Sequence, residues 1–145
     1  DLMRDLQQRN NMAIILITHD LGVVARMANQ VAVMYAGEII ERGATNDIFY
    51  RSAHPYTLGL KAAMPTNRPN AVQHLMPIDG SPPDLFSPPN GCAYYTRCPY
   101  AMRACVNNHP RSFEIEGLHT SRCWLHHEDC APRAEEIWYA NNRET

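Results

Sequence analysis

An α/β fold followed by a small, irregular, metal-stapled module is what three features of this sequence predict. Met12-Ala13-Ile14-Ile15-Leu16-Ile17 is an apolar run rich in β-branched residues. Such a run suits a strand buried on both faces, as in a parallel sheet covered by helices. Val31–Tyr35 and Glu38–Glu41 read as two further strands joined by a tight turn at Ala36-Gly37. Beyond a proline-rich stretch, all five cysteines fall between Cys92 and Cys130.

The elements follow in order. Leu2, Met3 and Leu6 share one face of an opening helix that gives out near Asn10-Asn11. After the apolar run, Thr18-His19-Asp20 stands at the strand's C-terminal end. Asp20 can cap a short helix carrying Leu21, Val24 and Met27. The hairpin comes next, then a helix capped by Thr45 or Asn46 and carrying Ile48 and Phe49. Pro55 opens a last helix through Leu58, Leu60 and Met64. Seven of the eleven prolines lie between Pro65 and Pro89, which excludes a continuous helix or an interior strand. The chain therefore divides into a regular part at 1–64, an extended linker at 65–90, a cysteine module at 91–130 and a tail at 131–145. The tail is expected to form one short helix around Ile137-Trp138-Tyr139.

Composition narrows the function classes. The 145 residues are 45% apolar and 19% charged, with net charge −2 and a pI near 6.4. That balance offers no concentrated basic surface for nucleic acid. The longest apolar run is too short to cross a bilayer, and no signal peptide is evident. The chain begins at Asp1 and enters a helix at once, which reads as a fragment.

Two constellations carry chemistry. His19 is the first, because ligands of open α/β sheets bind at the C-terminal ends of strands. The cysteines are the second, spaced Cys92-x5-Cys98-x6-Cys105-x17-Cys123, with Cys130 as a spare thiol. Clustering in one segment without a secretion signal favours metal ligation over disulfides. Four thiolates can complete a tetrahedral zinc site or a four-iron cluster. No C-x2-C pair is present, and the wide gaps suit a larger object approached from several corners. Zinc, with His119 or His126 recruited, and disulfides or free thiols stand as alternatives. His126-His127 reads as a solvated surface pair. Arg97, Arg103, Arg111 and Arg122 read as shields for cluster charge or as surface residues. Gly91 gives the backbone freedom to turn inward before Cys92, and Pro99 fixes the chain direction beside Cys98.

Longer strings add a family resemblance. Ile17-Thr18-His19-Asp20-Leu21 and Val31 through Gly43 resemble the end of the nucleotide-binding domain of ATP-binding-cassette (ABC) transporters. Asp47-Ile48-Phe49-Tyr50 and His54-Pro55-Tyr56-Thr57-Leu58-Gly59-Leu60 look like the peptide-importer branch, as do Pro89-Asn90-Gly91-Cys92 and Arg97-Cys98-Pro99-Tyr100-Ala101-Met102. On this resemblance residues 1–64 are the C-terminal part of an ABC nucleotide-binding domain. His19 is then its switch histidine, reaching the γ-phosphate of ATP. Residues 91–130 are the family's cysteine-rich extension, with Cys92, Cys98, Cys105 and Cys123 as ligands of a 4Fe-4S cluster.

The resemblance implies the ATPase subunit of a bacterial oligopeptide importer, peripheral on the cytoplasmic face of the membrane. Its partners would be a second ABC ATPase subunit, two transmembrane permeases and, indirectly, a peptide-binding protein. ATP and magnesium would bind only in the full-length subunit. No G-x-x-x-x-G-K-[ST] loop occurs here, so this stretch alone is expected to be inactive. A non-catalytic zinc- or cluster-stapled docking or dimerisation module is the rival reading, and a free-standing metalloprotein a third.

Overall fold

A computed structural model describes residues 2–64 and 78–130. The first half of the linker and the tail helix expected near Trp138 lie outside the described residues. Helix α1, Leu2–Asn10, ends as anticipated, with Asn11 at a φ of 49°. Asn10 Nδ2 donates to the Leu6 carbonyl at 3.0 Å and closes the last turn.

The strand expected over Met12–Ile17 does not form. These residues have no regular structure, and Ile15 and Ile17 are 92% and 95% exposed. A parallel strand exists only through ladder partners on its edges and covering layers on its faces. The described residues provide neither for this segment. An apolar run specifies the need for burial and not its fulfilment.

Helix α2, Leu21–Met27, starts where Asp20 was expected to cap it, and Asp20 Oδ1 accepts from Val23 N at 3.0 Å. Strands β1, Gln30–Tyr35, and β2, Glu38–Ala44, form the expected hairpin. Its two-residue turn holds Ala36 and Gly37 at φ values of 50° and 84°, the left-handed pair that matches the twist of a tight hairpin. Val33, Tyr35 and Ile40 turn into the core, while Ala32 and Met34 face out. The register shifts between Val33 and Met34. Both Ile40 and its neighbour Glu41 are buried on the paired strand.

Helix α3, Thr45–Tyr50, is capped differently from expectation. Ala44 is the N-cap, and the Thr45 hydroxyl instead donates to the Ala28 carbonyl, tying α3 to the end of α2. The Asp47 carboxylate takes over the capping, with Oδ2 accepting from Ala44 N at 3.1 Å and Oδ1 accepting from Arg51. The bond from Arg51 holds the Asp47 carboxyl below the usual carboxylate range, against the opposing effect of burial. A depressed carboxylate stabilises the fold above its unfolded pKa of about 3.9 and loses that contribution as pH falls through its folded value. Asp47→Asn is therefore expected to cost about 1 kcal/mol at pH 7, a typical cap value. The difference from wild type should shrink below about pH 4, which urea denaturation at pH 7 and pH 3 would reveal.

Helix α4, Pro55–Ala62, has proline in its first turn and His54 as N-cap. The cysteine region then adds helix α5, Arg103–Asn107, and strands β3, Phe113–Glu116, and β4, His119–Ser121. The sheet runs β1-β2-β4-β3, antiparallel throughout. Glu41 pairs with Ser121 and Arg42 with Thr120, so the hairpin of the first part and the strands of the cysteine region share one ladder. The core is shared as well. Val33, Tyr35, Ile40 and Ile48 pack with Tyr94, and Ile78, Cys92 and Cys98 pack against them. Tyr94 meets Tyr35 and Tyr56 edge-on, at 5.3 and 5.4 Å between ring centroids. A smaller cluster joins Cys123 and Leu125 to Leu58, Tyr100 and Met102.

Candidate metal centre

The four candidate ligands come from different elements. Cys92 follows Gly91 on a loop, and its N–H donates to the Cys105 carbonyl at 2.8 Å. Cys98 ends a single 3-10 turn at Tyr95–Arg97. Cys105 sits in the first turns of α5, where its Sγ accepts from Met102 N at 3.5 Å. Cys123 leaves β4 two residues after Ser121. Despite up to 31 residues of separation (123 − 92), all four line one small enclosed cavity. Tyr94, Tyr100 and Leu125 wall it. Cys130 is not among the lining residues, and its Sγ lies 3.8 Å from Met102 Sδ.

None of the five cysteines is in a disulfide, and Cys105 and Cys123 are buried. Burial pushes the Cys98 thiol up to about 11, aided by Cys92 and Cys105 and opposed by the Tyr100 backbone N–H. Burial raises Cys92 too, opposed by the Tyr94 backbone N–H, and raises Cys123 further still, opposed by that of Leu125. Thiols packed together out of water keep their protons unless a cation replaces them.

A tetrahedral zinc draws its sulfurs in to about 2.3 Å from one point. Among the described residues no three His, Cys, Asp or Glu side chains come together closely enough to hold a single ion. Neither histidine considered for zinc lines the cysteine cavity, and each makes a contact elsewhere through Nε2. His119 Nε2 lies 2.9 Å from Glu41 Oε1, and His126 Nε2 lies 2.6 Å from the Ala53 carbonyl. His126 and His127 are also partly buried and not solvated as expected, His127 lying 6.0 Å from the Trp124 ring.

Three of the four arginines have partners within the protein. Arg97 donates to the Ile78 and Asp79 carbonyls at 2.9 and 2.8 Å and clamps the incoming linker. Arg122 lies 3.7 Å from Glu38, and Arg111 stacks 5.0 Å above Phe113. Gly91 has a different reason than backbone freedom. A Cβ there would meet the Cys105 carbonyl oxygen at 2.1 Å.

His19 lies elsewhere. It is exposed on the turn into α2, between Thr18, whose Oγ1 accepts from Asp20 N, and the capping Asp20. It does not line the cysteine cavity.

The sequence reading passed over Glu41 and His54. Glu41 is 1% exposed, and its carboxylate accepts from Ala53 N at 2.6 Å and from His54 N at 3.0 Å as well as facing His119. His54 is also 1% exposed and lines the cavity with the cysteines. Burial lowers its pKa to about 4, partly offset by Glu41. The legible signal was His54-Pro55, an N-cap followed by a first-turn proline.

Comparison with known proteins bears on this site. The model of the oligopeptide/dipeptide transporter C-terminal region matches residues 40–105. The oligopeptide transport ATP-binding protein OppD of Bacillus subtilis is 48% identical over 135 residues, 93% of this chain and 37% of that protein. The dipeptide transport ATP-binding protein DppD of the same organism is 49% identical over 125 residues, 86% of this chain and 37% of the relative. OppD of Salmonella typhimurium is 45% identical over 109 residues, 75% of this chain and 32% of the relative. The chain spans little more than a third of the length of the curated relatives it matches. These matches place the chain in the family of oligopeptide and dipeptide ABC transporter ATP-binding subunits, as their C-terminal part.

Proposed function

We propose that the chain belongs to the ATPase subunit that powers oligopeptide import across the bacterial cytoplasmic membrane. In that reading His19 supplies the switch histidine, and Cys92, Cys98, Cys105 and Cys123 hold a 4Fe-4S cluster. The observation that carries the cluster assignment is the convergence of four thiols from separate elements on one cavity. The relatives' names, oligopeptide and dipeptide transport ATP-binding proteins, carry the transport assignment. No described helix is long and apolar enough to cross a membrane. The transport reading itself implies permease partners and a peripheral place on the cytoplasmic face.

The residues divide the work. His19, exposed at a helix start, is free to hydrogen-bond the γ-phosphate of an ATP held across a dimer with a second ATPase subunit. Phosphoryl transfer is mostly positioning and electrostatics, and an imidazole donor at the phosphate supplies both. ATP and magnesium would be gripped by parts of the full-length subunit outside this sequence. A bound cluster would supply cross-linking positive charge among the thiolates. The cysteines would then tie the loop at 91–98, α5 and the end of β4 into a single body. Since β4 pairs with β2, that staple would also brace the hairpin that follows His19.

The test uses the full-length subunit purified without oxygen. About four irons and four inorganic sulfides per chain, with a brown chromophore, are expected. Serine at any of the four ligands should lower the iron content, and Cys130→Ser should leave it. One zinc and no colour would sink the cluster. His19→Ala, assayed with its partner subunits, should lower ATP turnover about a hundredfold at unchanged iron content. Unaltered turnover would remove His19 from the chemistry.

A further inference from the structure

We draw no further inference here: the strongest candidate, the exposed Leu85-Phe86 turn that Asp84 caps between two proline pairs of the linker, presents an aromatic ring to solvent, but nothing in the structure shows what covers it.

Discussion

Glu41→Ala should destabilise the sheet by about 3–5 kcal/mol, the cost of breaking a buried, hydrogen-bonded charged group. Three donors converge on this carboxylate: the Ala53 and His54 backbone N–H groups and the His119 ring nitrogen at 2.9 Å. The carboxylate is fully enclosed, so alanine strands all three away from water. Each unsatisfied donor costs about 1–3 kcal/mol. The three donors also belong to different parts of the fold. Ala53 and His54 lead into α4, and His119 begins β4, so Glu41 on β2 joins the hairpin to the cysteine region. Hydrogen exchange at the β2–β4 ladder is the direct measure, because local opening reports local free energy. The Arg122 amide, bonded to the Ile40 carbonyl at 2.7 Å, should exchange at least a hundredfold faster in the variant. Glu38 is the control on the same strand. It contacts His109 at 2.8 Å and Arg122 at 3.7 Å but is 41% exposed, so Glu38→Gln should cost less than about 1 kcal/mol. Equal exchange in the two variants would show that Glu41 is not the joint between the two regions.

What the sequence disclosed, and what it hid, follows from range. The hairpin was legible because alternation and a two-residue turn are local properties of residues 30–44. The Asp20 cap and the Pro55 helix start were legible for the same reason. The cysteine set was legible as chemistry, through spacing and composition, although the cavity joining Cys92 to Cys123 is a product of the tertiary fold. Met12–Ile17 misled because a buried strand is a statement about neighbours that the described residues do not contain. Thr45 misled because Asp47 Oδ2 already served the helix start, freeing the hydroxyl for the Ala28 carbonyl. Glu41 was invisible for a subtler reason. Alternation assigns it to the face opposite Ile40, yet both are buried, beside a register shift between Val33 and Met34 that no local pattern announces. The contacts of His119 and Arg97 were hidden because their partners, Glu41 and the carbonyls of Ile78 and Asp79, are distant in sequence. Chemistry-bearing residue types were therefore readable, and their pairings were not.

If the four cysteines hold the proposed cluster, Gly91→Ala is expected to empty their site while leaving the hairpin intact. An added Cβ would stand 2.1 Å from the Cys105 carbonyl oxygen and 2.6 Å from that of Val106. Both are backbone atoms of α5, so no side-chain rotation relieves the overlap. The loop or the helix must move, and interiors packed to crystal-like density transmit such strain to their neighbours. The first contact to suffer is the bond from Cys92 N to the Cys105 carbonyl, 2.8 Å long, which is the direct tie between two of the four proposed ligands. Preorganised donors bind metal centres tightly because their spacing is fixed before binding, and a displacement of about 1 Å is enough to lose that advantage. Iron retained after anaerobic desalting should fall at least tenfold. Gly117 separates this effect from ordinary glycine strain. Its φ is 57°, and a Cβ there would meet nothing within 4 Å, so Gly117→Ala should cost about 1 kcal/mol of backbone strain and keep its iron. If Gly91→Ala held its iron as well, the ligand spacing would be set by the metal centre and not by the chain. If only Gly91→Ala lost it, the cavity is shaped by backbone contact between the Cys92 loop and α5, and the protein fixes the place of the cluster before the cluster arrives.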